Sequence, residues 1–116
     1  MRTSDQKVNA VLKKQIEKTF LQAVVDFKNI GEAELVFGSF FTETEFETFA
    51  KRLAVAYWLK KGRSYANIKE NLKVSSATIA AVSEMMDCSG FELFLRKVEA
   101  DEWANIWSER VKKFVP

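Results

Sequence analysis

Residues 64–86 read SYANIKENLKVSSATIAAVSEMM, the pattern of two short helices joined by a tight turn. Apolar residues recur at the spacing that two clamped helices need, at Ile68, Leu72, Val74, Ile79 and Val82. Ser64 is suited to cap the first helix, and Ser75 or Ser76 the second, because a serine hydroxyl accepts from free backbone N–H groups. The pattern therefore predicts a helix-turn-helix over residues 64–86.

The outward face of the second predicted helix carries only small or polar side chains. These are Ser76, Ala77, Thr78, Ala80 and Ala81. In a helix-turn-helix, this face enters the major groove of DNA. We therefore predict double-stranded DNA as the partner, with contacts from this face and from Ser64 and Ser75.

The segment 60–73 is strongly basic. It contains five cations against one carboxylate, Glu70, which gives a local charge of +4 in a chain whose net charge is only +2. The cations are Lys60, Lys61, Arg63, Lys69 and Lys73. A run of this kind is equally often a solvated face. Because these charges flank the predicted helix-turn-helix, we expect them to contact DNA phosphates.

The composition favours one helical domain over residues 1–116. This length suffices for a single domain with one core. Ten Phe and three Trp, in a chain that is 47% hydrophobic, exclude a disordered protein. One Pro and four Gly favour long helices over a turn-rich β fold, so an all-α protein is predicted.

The absence of His restricts the chemistry that the chain could perform. The sequence contains no His and a single Cys, Cys88. The usual zinc ligand and the usual general base at neutral pH are therefore missing, and Cys88 has no His to activate its thiol. We expect no enzymatic activity, no metal site and no cofactor.

The expected location is the cytoplasm. A lone Cys suits a reducing compartment. No run of eighteen apolar residues occurs, so no membrane partner is expected. Residues 1–15 also lack the apolar stretch of a secretory signal.

Capping motifs divide the first half of the chain into helices. The expected helices are 3–28, 32–37 and 42–61. Thr3 with Gln6 and Thr42 with Glu45 are the two capping boxes that start the long ones. Gly62 suits the left-handed position that ends the third helix.

The residues after the helix-turn-helix are predicted to form a helical extension over 89–116. Ser89 with Glu92 starts one helix of it, and Asp101 begins a last one. The whole chain then has about six helices. Aromatic side chains of the extension are expected to form core or dimer contacts; the alternatives are a ligand pocket or an exposed apolar face. They include Phe91, Phe94, Trp103 and Trp107.

The run 53–59, LAVAYWL, is apolar in nearly every direction around the helix axis. Such a helix must be covered on all sides. A small monomer could cover it, but partial burial by a second subunit explains it more easily. The run therefore favours a homodimer.

The order of these elements resembles the Trp repressor family, and more closely its Trp-repressor-like branch, labelled YerC/YecD. The resemblance covers residues 41–86. Its anchors are Phe41-Thr42, Ala50-Lys-Arg52-Leu, the Leu59-Lys-Lys-Gly62 helix end, Ile68-Lys69 and Ala77-Thr78-Ile79. The resemblance implies an all-α homodimer with intertwined terminal helices, in which the two helix-turn-helices read a palindromic operator.

The resemblance also implies roles for two residues outside the helix-turn-helix. Thr42 and Arg52 match positions that help to hold the corepressor in the tryptophan-binding members, although Arg52 equally suits an ion pair between subunits. A second ligand-stacking Arg of those members is replaced by Ala81, and the following Gly by Val82. Tryptophan is therefore not expected as the corepressor, and any small-molecule effector is unknown.

On the DNA side, Lys69 matches a phosphate-contacting Lys of the family, and residues 76–78 match the start of its recognition helix. Ala80 stands where a base-reading hydroxyl is frequent, so readout would depend on small contacts, water or DNA shape. Lys73 occupies a turn position that often carries Gly in a positive φ conformation, at a cost of about 1 kcal/mol for Lys.

Together these features predict a sequence-specific transcriptional regulator, a repressor, that binds DNA as a homodimer without tryptophan. The alternative is a dimeric helical adaptor that binds proteins and has lost strong DNA readout. Burial of the aromatic residues in 91–107 would favour the first hypothesis over the second.

Overall fold

The structure is a computed structural model that describes residues 6–101. Within that range it contains six helices and no strand, which confirms the all-α prediction. The helices are α1 (Ala10–Val25), α2 (Ile30–Phe40), α3 (Glu43–Lys60), α4 (Tyr65–Leu72), α5 (Ser76–Met85) and α6 (Ser89–Asp101). The chain divides into two compact units, one ending at Phe46 and one beginning at Glu47.

Helix α1 begins later than the sequence predicts. Residues 6–9 are not helical, and the Asn9 side chain caps the helix by accepting from the backbone N–H groups of Val11 and Leu12 at 2.8 and 3.3 Å. The predicted helical state of residues 6–9 is therefore wrong, since Asn9 satisfies the free donors of the first turn of α1. Thr3 lies outside the described residues.

Helix α2 is longer than the expected 32–37. Asn29 caps it by accepting from the Glu32 N–H at 2.9 Å, so that the helix starts at Ile30. Aromatic rings hold the first unit together: Phe20 of α1 lies 5.8 Å from Phe40, and Phe27 lies 5.3 Å from Phe37. Contacts between aromatic rings therefore hold α2 against α1 and the residues that follow it.

The capping box at the start of α3 is confirmed. The Thr42 N–H donates to Glu45 Oε1 at 2.9 Å, and the Glu45 N–H donates to Thr42 Oγ1 at 3.1 Å. The bond from the Thr42 backbone lowers the pKa of Glu45. A carboxyl whose pKa is lowered by folding stabilises the fold while ionised, so this contribution is lost as the pH falls through that pKa.

The core of the second unit lies among α3, α4, α5 and α6. Its buried side chains are Val55, Ala56, Ile68, Ile79, Val82 and Leu95. Three of the five apolar positions that predicted the helix-turn-helix are thus buried, and Leu72 and Val74 pack against them. In the run 53–59, Val55 and Ala56 are fully buried within one protomer, and the rest are half-buried. Its burial by a second subunit stays a prediction.

One expectation for the C-terminal extension is corrected. Ser89 is the first helical residue of α6 rather than its cap, because the ladder already begins with the Glu92 N–H donating to the Cys88 carbonyl at 3.1 Å. The chain is helical from Ser89 through Asp101, and the last helix predicted from Asp101 onward lies outside the described residues. The predicted contacts of Trp103 and Trp107 lie outside the described residues.

Candidate nucleic-acid interface

The predicted helix-turn-helix is formed by α4 and α5. Ser64 Oγ accepts from the Asn67 N–H at 3.1 Å and caps α4, and Ser75 Oγ accepts from the Thr78 N–H at 3.1 Å and caps α5. Of the two serines considered for the second cap, Ser75 is the cap and Ser76 is the first helical residue. Both helices therefore start where the polar residues in the sequence indicate.

The turn between the two helices depends on one left-handed residue. Lys73 has φ 55° and ψ 50°, and it is the only non-glycine residue with a positive φ in residues 6–101. Its N–H donates to the Lys69 carbonyl at 3.1 Å and closes α4. The expectation that Lys73 occupies the position often filled by Gly is confirmed.

Lys73→Gly should raise the free energy of unfolding by up to about 1 kcal/mol. Glycine adopts this conformation without the steric cost that a Cβ imposes, and part of the gain is offset by its greater freedom in the unfolded chain. Denaturant unfolding measures the change. Lys73→Ala is the control, because it removes the same charge and keeps the strain; equal stability of the two variants would contradict the prediction.

The exposed face of α5 is the one that the sequence predicted. All six residues of this recognition face are exposed, whereas Ile79 and Val82 point into the core. The recognition face consists of Ser75, Ser76, Ala77, Thr78, Ala80 and Ala81. The Ser75 and Thr78 hydroxyl oxygens lie 3.0 Å apart, so the first turn of α5 presents a preformed pair of hydroxyls.

Three of the five basic side chains of 60–73 are held by neighbours. Lys60 Nζ lies 3.0 Å from Glu99 Oε1 of α6, and Lys61 Nζ lies 5.3 Å from the centre of the Tyr57 ring. The Arg63 guanidinium lies 4.1 Å from the centre of the Trp58 ring, and its Nη1 donates to Asn67 Oδ1 at 3.1 Å. The lysine–glutamate pair partly neutralises the basic segment.

Lys69 and Lys73 are exposed and form no ion pair with another described residue. They border the turn of the helix-turn-helix from the end of α4. Their ammonium groups are therefore available to an anionic partner.

Sequence reasoning missed the partners of the basic residues. Tyr57 precedes Lys61 by four positions at the end of the predicted helix 42–61, so helical spacing could have indicated this pair. Arg63 lies before the Ser64 cap of α4, so helical spacing does not indicate its bond to Asn67. Arg63 contacts Trp58 across the turn at Gly62, and Gly62 is the one residue in the sequence that indicates this turn. Glu99 is remote in sequence from Lys60, and only the fold brings the two together.

A hollow of about 410 Å³ lies between α3 and the helix-turn-helix. Its cationic lining side chains are Lys51, Arg52 and Lys73, and Lys51 forms a 3.0 Å ion pair with Glu47. The full lining is Thr48, Lys51, Arg52, Lys73, Val74, Ser75, Thr78, Ala81, Val82 and Met85. Arg52, Ala81 and Val82, which the family resemblance singled out, therefore share one hollow.

Thr42 is not among the residues that line this hollow. Its hydroxyl is used in the capping box of α3, where it accepts from the Glu45 N–H. Arg52 also lies 5.8 Å from the centre of the Phe49 ring.

Within the described part of the chain, no helix is both long enough and apolar enough to cross a bilayer. The same residues contain no group of His, Cys, Asp or Glu side chains arranged to hold a metal ion.

Comparisons with known proteins agree with this geometry. The chain is 28% identical over 91 residues to the uncharacterized protein YerC of Bacillus subtilis (strain 168), covering 77% of this chain and 86% of that protein. Its fold is similar to the crystal structure of a TrpR-like protein from Eubacterium eligens ATCC 27750, with a TM-score of 0.71 and 28% identity. That match covers 78% of this chain and 96% of the other.

A sequence profile of the Trp repressor protein family matches residues 8–99. The match includes all of α1 to α5 and most of α6, which is well over half of the chain. The resemblance seen in residues 41–86 thus extends to the N-terminal helices. The chain belongs to the Trp repressor family.

Proposed function

We propose that this chain is a sequence-specific DNA-binding transcriptional regulator, a repressor, that acts in the cytoplasm as a homodimer without tryptophan as its corepressor. One observation carries the proposal: the recognition face of α5 is exposed beside Lys69 and Lys73, whose ammonium groups are not paired with any described residue. This is the arrangement by which a helix-turn-helix inserts a helix into the major groove while flanking cations hold phosphates. The residues 1–116 then act as one DNA-binding domain.

The contacts divide into two classes. Phosphates are contacted by the basic residues and by Ser64 at the start of α4, and base edges are contacted by the recognition face. Because that face carries two alanines and no long polar side chain, specificity comes from methyl contacts, bridging water and DNA shape. Lys60 contributes least, since Glu99 already neutralises it.

The homodimer is supported by the first unit. Apolar side chains at every fourth position of α1 form a stripe, and each of them is between 42% and 52% exposed. The stripe consists of Leu12, Ile16 and Phe20. Apolar residues in such a row are typical of a helix that packs on a partner. A second copy of the chain is the partner that the family implies.

The hollow beside α5 supports regulation without tryptophan. Ala81 supplies no cation to stack on an indole ring, and the buried Val82 side chain stands where a tryptophan-binding member has glycine. Arg52 remains in the hollow, so contacts to an effector of another kind are compatible with it.

Duplex DNA binding tests the proposal, with Lys69→Ala as the informative variant. We expect the wild-type chain to bind duplexes at low salt and to lose affinity steeply as salt is added, because bound counterions are released on binding. Lys69→Ala should weaken binding to all sequences alike and reduce the logarithmic salt slope by about one. Fluorescence anisotropy with random and genomic duplexes measures both.

Lys18→Ala is the matched control, since it removes an exposed lysine of α1 that is not one of the proposed DNA contacts. It should leave affinity and salt slope unchanged. If the wild-type chain binds no duplex at low salt, the proposed function is wrong.

A second candidate function is favoured by α6. Leu93 and Phe94 are half-exposed there, as an adaptor that binds other proteins would require. Phe91, which was expected on the same face, is instead half-buried against the core. The duplex-binding experiment separates the two, because the adaptor needs no affinity for DNA.

A further inference from the structure

We infer that Trp58 and Asn67 are positioning residues that hold the Arg63 guanidinium ready for a DNA phosphate; this inference rests on the proposed function. Neither residue is a cation or part of the recognition face. Both act through Arg63, which they contact from opposite sides of the α3–α4 junction.

The junction itself fixes where Arg63 stands. The Gly62 N–H donates to the Leu59 carbonyl at 3.0 Å, and the Arg63 N–H donates to the Trp58 carbonyl at 3.1 Å. With Gly62 at φ 85°, these two bonds form a Schellman motif at the end of α3. The motif brings the residue after the glycine back over the last turn of the helix. The backbone therefore places Arg63 directly above Trp58.

The side chain of Arg63 is then held at two points. Its guanidinium lies over the half-buried Trp58 ring, which also packs against the core. Its Nη1 donates to Asn67 Oδ1, and Asn67 is itself fixed by its N–H bond to the Ser64 cap. An exposed arginine normally samples many rotamers, whereas this one is tied to the first turn of α4.

The two contacts leave most of the guanidinium available. A guanidinium has five N–H donors, and among the described residues only Asn67 accepts from it. A stacked, planar fork with free donors at the start of a DNA-contacting helix matches the geometry of a phosphate. Since its rotamers are already restricted, less side-chain freedom is lost when the phosphate binds. The contacts of Arg63 with Trp58 and Asn67 are thus expected to increase DNA affinity as well as to stabilise the junction between α3 and α4.

A double-mutant cycle between positions 58 and 63 tests the inference. Affinity for a duplex of roughly 20 base pairs, enough for two half-sites one turn apart, is measured over a salt series. Arg63→Gln should reduce the logarithmic salt slope by about one. Trp58→Leu should weaken binding about two- to fivefold with an unchanged slope, because the charge remains and only its positioning is lost.

The decisive value is the effect of Trp58→Leu in the Arg63→Gln background. If Trp58 acts through Arg63, the twofold to fivefold loss disappears there. Trp58→Phe, which keeps a ring, should fall between wild type and Trp58→Leu. An equal loss in both backgrounds, or none in wild type, overturns the inference and leaves the proposed function standing.

A replacement variant covers the case in which Trp58→Leu does not fold, and an NMR measurement tests the Trp58–Arg63 contact without DNA. If Trp58→Leu loses the circular dichroism spectrum of the wild type, Asn67→Ala takes its place in the cycle, since the Asn67 backbone cap remains. In the free protein, the Arg63 side-chain protons should show an upfield ring-current shift that Trp58→Leu abolishes. Absence of this shift in wild type overturns the inference. Failure of the wild type to bind any duplex overturns the proposed function and the inference together.

Discussion

Ile16→Lys should convert the protein from a dimer to a monomer and weaken its binding to a two-half-site duplex about a hundredfold or more. Ile16 lies in the middle of the stripe formed by Leu12, Ile16 and Phe20, and it is about half-exposed in the protomer. A charged ammonium at this point would have to be buried against the apolar partner surface, which is strongly unfavourable. The protomer itself tolerates the change, because the side chain already contacts solvent.

The loss of DNA affinity would follow from the lost link between two helix-turn-helices. In a dimer, binding of the first half-site raises the local concentration of the second reading helix, and a monomer loses this gain. The added positive charge of Ile16→Lys would, by itself, favour DNA. A weaker complex therefore reports on assembly and not on electrostatic repulsion.

Gln22→Lys is the matched control. It adds the same charge to the same helix at a residue whose amide already lies 3.0 Å from Asp26 Oδ1, where a lysine finds a carboxylate partner. Light scattering should give a dimer for the wild type and for Gln22→Lys, and a monomer for Ile16→Lys. A dimeric Ile16→Lys would show that the stripe is not the interface.

The part of this fold that could be predicted from sequence is the part set by neighbouring residues. The helix-turn-helix was found from its serine caps and its apolar spacing, and Gly62 and Lys73 take up the positive φ angles expected of them. These features depend on hydrogen bonds spanning three or four residues. Local signals of that kind are read reliably from a single chain.

Helix boundaries were less predictable, because several capping residues compete within a few positions. Thr3 and Asn9 are both residue types that cap helices, and the sequence does not indicate that α1 begins after Asn9. At the other end, Ser89 has the residue type of a cap but lies inside the first turn of α6. The choice depends on how the whole helix packs, which pattern reasoning does not include.

Whether each cation is paired with a carboxylate was the least predictable feature of the candidate interface. Charge counting treats Lys60 and Lys69 as equivalent, yet Glu99 pairs with the first and no described carboxylate pairs with the second. Similarly, Arg52 was singled out by resemblance, but its place beside Ala81 and Val82 needed the packing of α3 against α5. Contacts between distant positions arise only from the tertiary fold.

Ile79→Ala should lower the free energy of unfolding by about 2–5 kcal/mol. Ile79 is fully buried on the inner side of α5, in the core that also contains Ile68 and Val82. Truncation removes three carbon atoms from this core and leaves a cavity that the packed helices fill only in part. Because a domain of this size is stable by only about 5–15 kcal/mol, the loss is a large fraction of the total.

Ile30→Ala is the control, since it makes the same chemical change at a side chain that is 78% exposed. It should alter the free energy of unfolding by no more than about 0.5 kcal/mol. Denaturant titration followed by circular dichroism compares the two variants. Similar losses in both would mean that α5 is not held by this core. A large loss in Ile79→Ala alone would show that the core holds α5, and with it the recognition face, firmly in place. A fixed helix is what small contacts and bridging waters need in order to discriminate between DNA sequences.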